Sequence, residues 1–275
     1  MNPDLIYSQY RDDALAAQTT AKEYLTFVAM PFGDRFSYRS KQIYKEVIQA
    51  AAAKANELNQ APRRFAEPRR VDDGAGTAVV ITEAIVKEIL YSHLFVGDLT
   101  FANPGVLLEV GIAMGLKSNQ QIILITQGEL AEIHFDIRNN KILPYNSADA
   151  VTRIAQAMIE AAKSFEADAD RRIESIKKVL TPEAVQVLRL YGIFQKANPA
   201  SSLHSLIADR IFGTDKRAED KFEQAARELL ERRLLFTDYK SNVGNGADRF
   251  GMHATELGWV FIGRTWPDFA KGKTH

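Results

Sequence analysis

Short apolar runs alternate with amphipathic stretches from residue 24 to residue 165. Tyr24 to Met30 (YLTFVAM) is apolar and rich in β-formers, and Pro31-Phe32-Gly33 ends it. Ile43, Tyr44, Val47, Ile48 and Ala51 follow at spacings of three and four, the period of a helix with one buried face. Arg63 to Val71 predicts an edge-like second strand, weakened by its basic residues and Pro68. After the turn Asp72 to Thr77, the positions Val80, Ala84, Ile85, Ile89 and Leu90 outline another amphipathic helix. Leu94-Phe95-Val96 predicts a buried strand closed by Asp98, and Asn103-Pro104 supplies a cap and a first helical residue. Val106, Val110, Ala113 and Leu116 give that helix its buried face. Gln121 to Thr126 (QIILIT) is near-continuous in the way of strands buried on both faces, and Lys141 to Tyr145 (KILPY) predicts a fifth strand. Ser147 is the expected cap of a helix running to about Phe165. Five strands separated by helices predict an α/β fold with a doubly wound, five-stranded parallel sheet, flavodoxin-like in strand count.

Beyond residue 165 the pattern changes. Residues 166–180 are highly charged and lack Gly and Pro, which predicts a connecting helix. In 181–275, Thr181-Pro182-Glu183, Ser201-Ser202 and Lys216 to Arg233 begin or span three helices. Leu234 to Thr237 and Arg249 to Met252 flank a Gly and Asn loop as hairpin arms would, and Ala254 to Gly258 opens a closing segment. Helices, hairpin and closing segment resemble a small winged helix-turn-helix. The expected domains are therefore a 1–23 N-terminal arm or short helix, a 24–165 α/β domain, the 166–180 connector and a 181–275 winged-helix-like module.

Composition narrows the function classes. With 46% apolar residues in 275, the chain can bury a sizeable core, and no apolar run approaches the roughly 20 residues that span a bilayer. No membrane association is expected. The polar start MNPDLIYSQYRDD has no signal-peptide pattern and there is no cysteine, so a cytoplasmic location is the expectation. Lys and Arg balance Asp and Glu at 35 each, which argues against a broad phosphate-binding surface. The 181–275 module carries 14 basic against 12 acidic residues, so DNA stays open as a partner but is not favoured over protein contact, dimerisation or a lid. Trp259, Phe261 and Trp266 are either contact aromatics there or core.

The chemistry concentrates at residues 94–117. Asp98 and Glu109 lie in a strand, turn and helix whose junction faces the carboxyl edge of a parallel sheet, where such folds bind ligands. A helical Glu ordinarily faces solvent or an ion pair, and a strand-end Asp is ordinarily a cap. Glu109, set between Leu108 and Val110 just after the turn, is better placed than most. Phe32, Gly33 and Tyr38, after the first strand, face the same edge, where glycine admits a ligand and an aromatic can stack on a base. Asp72 is a further candidate at a strand end, and Asn103 and Gly105 complete the candidate substrate-binding set. Gly74-Ala75-Gly76-Thr77 precedes a helix but matches no established phosphate loop. His93, His134, His204, His253 and His275 have no ligand spacing, so neither metal nor cofactor is expected. No G-x-S-x-G elbow occurs.

Val96 to Thr100, Asn103 to Val106 and Leu108 to Ala113, together with Phe27 to Gly33, resemble the motifs of nucleoside 2-deoxyribosyltransferase-like proteins, a group bordering on TIR-like proteins. The resemblance covers about residues 24–145. It implies Glu109 as the nucleophile on the anomeric carbon of a nucleoside, nucleotide or NAD-like substrate, Asp98 as its helper, and a homo-oligomer in which neighbouring chains complete the sites. A carboxylate can trap the oxocarbenium-like sugar that forms as a C–N glycosidic bond breaks. The competing expectation is a nucleotide-sensing regulator, or a TIR-like defence effector, whose winged-helix-like module contacts DNA or a protein partner.

Overall fold

The computed structural model describes residues 3–70, 81–128, 137, 140–197, 216–240 and 249–267, which group into two compact units, residues 20–168 and residues 1–19 with 169–275.

The 20–168 unit is α/β. Its sheet has four parallel strands, β2 (Thr26–Ala29), β4 (Leu94–Asp98), β5 (Ile122–Thr126) and β6 (Ile142–Pro144), in that spatial order. β1 (Glu23–Tyr24) and β3 (Arg64–Phe65) form a separate parallel pair. Among the described residues the expected strand 63–71 is shorter, with only an isolated bridge joining Phe27 to Arg69 beyond it. Pro68, which has no N–H to donate, stands just before that bridge. The expected strand 24–30 is likewise interrupted at Leu25, whose N–H goes to His93 Nδ1 at 2.9 Å and whose carbonyl accepts from His93 and Leu94.

The helices are α2 (Ser40–Ile43), which continues through a π-helical turn (Tyr44–Gln49) into α3 (Ala50–Leu58), then α4 (Ile81–Tyr91) and α5 (Pro104–Leu116). The expected cap of α5 is present, with Asn103 Oδ1 accepting from Gly105 N at 3.0 Å and Val106 N at 3.3 Å. Phe27, Ala29, Phe95 and Leu124 pack from the sheet against Ile89 of α4 and Val106, Val110 and Ala113 of α5. Side chains alternate along a strand, so Val28, Val96 and Ile125 point the other way, and they are buried too. Both faces of the sheet are therefore covered, which is why these strands read as continuous apolar runs.

Gly97 sits where α5 approaches β4. A β-carbon there would meet Val110 Cγ2 at 2.9 Å, Phe95 at 3.1 Å and Leu124 at 3.2 Å. Gly97→Ala is expected to lower stability by about 1–3 kcal/mol through overpacking, read as a lower urea midpoint at unchanged slope.

α6 spans Ala150–Val179 as one helix, where the sequence predicts a capped helix to about 165 and a separate connector. Its start differs as well. Ser147 Oγ donates to Asp149 Oδ1 at 2.6 Å and the helix begins at Ala150, so Ser147 is not its side-chain cap. With no Gly or Pro between 150 and 179, nothing in the chain interrupts the hydrogen-bond ladder.

The second unit includes α1 (Pro3–Thr20), α7 (Pro182–Ala197), α8 (Lys216–Glu231), a hairpin of β7 (Leu235–Lys240) and β8 (Arg249–Ala254), and α9 (Glu256–Thr265). The N-terminal segment groups here rather than with the strand it precedes. Ala16 joins Ile173, Tyr191, Phe222, Leu229 and Phe261 in one core, and Asp12 accepts a two-pronged ion pair from Arg172 at 3.0 and 2.9 Å. Phe261 is fully buried, Trp266 packs against that core, and Trp259 is 36% exposed, so the three aromatics divide between core and surface. The helix expected after Ser201-Ser202 and the hairpin loop lie outside the described residues. No helix among the described residues is long and apolar enough to cross a membrane.

Candidate functional site

Parallel register gathers the strand ends. Ala29 pairs with Gly97, Asp98 with Ile125 and Thr126 with Pro144, so Pro31, Asp98, Thr100 and Tyr145 all follow onto one carboxyl edge. Asp98 has no exposed surface there. Its Oδ1 accepts from Thr100 N at 3.1 Å and Thr100 Oγ1 at 2.6 Å, and its Oδ2 accepts from Tyr38 and Tyr145 hydroxyls at 3.0 Å each. Four donors thus meet a carboxylate's four lone-pair positions. The arrangement extends outward, since Gln127 N donates to Thr100 Oγ1 at 2.9 Å. Burial pushes the Asp98 carboxyl above its ordinary range, while the bonds from Thr100, Tyr145 and Tyr38 favour the charged form and hold it back. Burial and the Asp98 charge raise both tyrosine hydroxyls.

Glu109 contrasts with this. It is half-buried on α5, and among the described residues it makes no hydrogen bond or ion pair. Burial pushes its carboxyl up to about 7. Glu109 stands in the second turn of α5, one turn beyond Gly105, and helical side chains lean toward the N-terminus. No hydrogen bond links Glu109 to Asp98.

The remaining expected residues fall out as follows. Tyr38 is fully buried and belongs to the Asp98 arrangement. Phe32 is 65% exposed, and Gly33 has φ +74°, the left-handed conformation that glycine adopts without steric cost. Asn103 Oδ1 accepts from Gly105 N and Val106 N, so both expected binding residues take part in capping α5. Asp72 and the 74–77 turn lie outside the described residues.

Sequence reasoning missed several residues that the structure assembles. Thr100 and Tyr145 complete the Asp98 arrangement, and the position of Tyr145 directly after the last parallel strand was the available signal. Arg35, Phe36 and Phe101 form a second group. The Arg35 guanidinium lies 5.3 Å from the Phe36 ring centre and 5.2 Å from that of Phe101, and Phe101 meets Tyr38 edge-on at 5.7 Å. Phe36, Phe101 and Ala102 all have positive φ (50°, 64° and 46°), a conformation costing a residue with a β-carbon about 1–3 kcal/mol. Nothing in their residue types announces it.

Two cavities among the described residues are lined elsewhere. One of about 210 Å³ includes Thr26, Arg69, Glu88 and Ser92, and one of about 550 Å³ includes Met114, Ile123, Leu143 and Glu160. Neither is lined by Asp98, Glu109 or the loop after β2. No group of three or more His, Cys, Asp or Glu that could hold a metal occurs among the described residues. His93 is fully buried, accepting from Leu25 N and packing edge-on against Phe165 at 4.8 Å. Comparison with protein-family models, curated proteins and solved structures returned no match.

Proposed function

We propose that the 20–168 unit cleaves or transfers the N-glycosidic bond of a nucleoside, nucleotide or NAD-like substrate, with Glu109 as nucleophile. The observation that carries it is a half-buried carboxyl group, without a partner among the described residues and raised to about 7, on a helix that starts at the carboxyl edge of the sheet. At neutral pH a substantial fraction of such a group is ionised and poorly solvated, the state in which a carboxylate is reactive. The C1′–N electron pair leaves with the base as a Glu109 oxygen bonds to C1′; a nucleobase takes a proton from solvent as it leaves, whereas the pyridinium of a NAD-like substrate leaves neutral without one. Water or a second base then displaces Glu109 and restores the carboxylate.

Asp98 helps through the groups it holds rather than by contact with substrate. Its four lone-pair positions are occupied, and it orients the Tyr38 and Tyr145 hydroxyls at the edge. The β1–β3 pair and the Phe27–Arg69 bridge support a five-stranded, flavodoxin-like reading in which β3 flanks β2. The succession of α7, α8 and the β7–β8 hairpin supports a winged-helix-like module, with protein contact favoured over DNA. Homo-oligomerisation and a cytoplasmic location remain part of the proposal.

Incubating the full chain with a panel of nucleosides, nucleotides and NAD and assaying free base by chromatography tests this. At least one substrate should release base, and no release from any of them sinks the catalytic role. The enclosed state of Asp98 also favours a second reading, in which the edge binds a nucleotide without turnover and the other unit relays the signal. Calorimetric binding with no product over hours would select it.

A further inference from the structure

This inference rests on the proposed chemistry of the same edge and narrows its substrate. Two guanidinium and aromatic groups grip the loop after β2. Arg35 lies over Phe36 and Phe101, and Arg70 lies 4.8 Å from the Tyr44 ring centre and 5.8 Å from that of Phe32. Arg70 also reaches Ser40 Oγ at 3.3 Å, and Ser40 donates to Pro31 O at 3.0 Å, which ties the guanidinium to the start of the loop. A guanidinium stacked on a ring keeps the N–H groups along its edge for a planar or tetrahedral anion.

Charge and exposure point the same way. Arg35 makes no ion pair among the described residues, and Asp34, the one carboxylate in residues 31–40, pairs with Arg39 at 4.0 Å and accepts from Ser40 N. The Asp98 charge is enclosed by its four donors. Among the described residues Arg35 therefore brings a positive charge without an ion pair to this rim, beside phenyl rings left 77% exposed at Phe36 and 65% at Phe32. Four of the positive-φ residues, Gly33, Phe36, Phe101 and Ala102, hold the two loops that present these rings. Exposed rings on strained backbone gain little from the fold itself, which is the pattern of a ligand platform.

We propose that this edge binds a phosphate-bearing nucleotide in preference to the free nucleoside, with the base on the open face of Phe36 and Arg35 as the principal phosphate ligand, seconded by Arg70. The base is then stacked on the platform while the sugar is left toward the Asp98 and Glu109 side of the edge.

The test is calorimetry on the full chain carrying Glu109→Gln, so that nothing is consumed, with nucleosides, their 5′-monophosphates, inorganic phosphate and single-stranded oligonucleotides. At least one monophosphate should bind about tenfold or more tighter than its nucleoside, the factor one charge-assisted contact supplies. That preference should shrink to about threefold or less in Arg35→Gln, recover in part in Arg35→Lys, and contract as salt is added. Equal binding of nucleoside and nucleotide overturns the proposal, as does a preference that survives both Arg35→Gln and Arg70→Gln. So does affinity that climbs with oligonucleotide length, or inorganic phosphate binding as tightly as the nucleotide. Base release by the native chain without phosphate preference removes this inference and leaves the glycosidic function standing. Phosphate preference without base release does the reverse.

Discussion

Glu109→Gln is expected to leave a folded protein whose base release falls on the order of 10³-fold or more, because the amide cannot bond to C1′ as the carboxylate does. The native pH profile should show the same residue. In the proposed mechanism only the ionised form attacks, so kcat/KM should rise with pH along a limb centred near the value of about 7 to which burial raises this group, and the limb should vanish with the substitution. Stability should move in the opposite direction. An acid whose folded value lies above its ordinary value of 4.5 holds its proton more tightly in the fold. Its stabilising contribution is full below that unfolded value and is lost as pH rises through about 7. Urea midpoints measured from pH 4 to pH 8 should therefore fall more steeply for the native chain than for Glu109→Gln. A release rate within about threefold of native in Glu109→Gln would remove this residue from the mechanism.

The largest expected loss of stability belongs to Asp98→Ala, at about 3–5 kcal/mol by urea denaturation. The substitution removes the shared acceptor of the Tyr38, Tyr145 and Thr100 hydroxyls and the Thr100 N–H in a region closed to water, leaving Tyr38 a long bond to Pro31 O at 3.4 Å and the Tyr145 and Thr100 hydroxyls each other at 3.0 Å. Asp98→Asn should cost about 2–4 kcal/mol, since its amide brings a donor to a position where the native carboxylate receives only donors. Tyr145→Phe removes one of the four bonds and should cost about 1–2 kcal/mol. An Asp98→Ala midpoint within about 0.5 kcal/mol of native would show that water enters and satisfies the cage. If Asp98 acts through the tyrosines as proposed, Tyr38→Phe and Tyr145→Phe should each lower kcat more than they raise KM.

Much of the 20–168 unit was legible because its signals are local. The strand at Leu94 to Asp98, the Asn103-Pro104 helix start and the buried positions 106, 110 and 113 follow from apolar period and capping chemistry, which act within a few residues. Pro68 already marked the edge strand as weak, whereas the apolar first strand could not show that His93, 68 residues on, takes the Leu25 N–H. The length of α6 was hidden differently. A charged stretch after an amphipathic one reads as a boundary, yet nothing in it stops a helix.

The candidate site divides along the same line. The place of Glu109 in the second turn of α5 follows from the Asn103-Pro104 start, and a carboxyl group at the strand end follows from the sequence of β4. The sequence by itself thus determined the main strands of the sheet, the start of α5 and the acid at the end of β4, because periodicity and capping are decided by neighbours in the chain. Only the tertiary structure decided what surrounds each acid. Asp98 is enclosed by Tyr38 and Tyr145, 60 and 47 residues away, while Glu109 is left half-buried without a described partner. The left-handed backbone at Phe36 and Phe101, which exposes the rings beside Arg35, is set by the packing of two loops against each other, and no local residue preference encodes it.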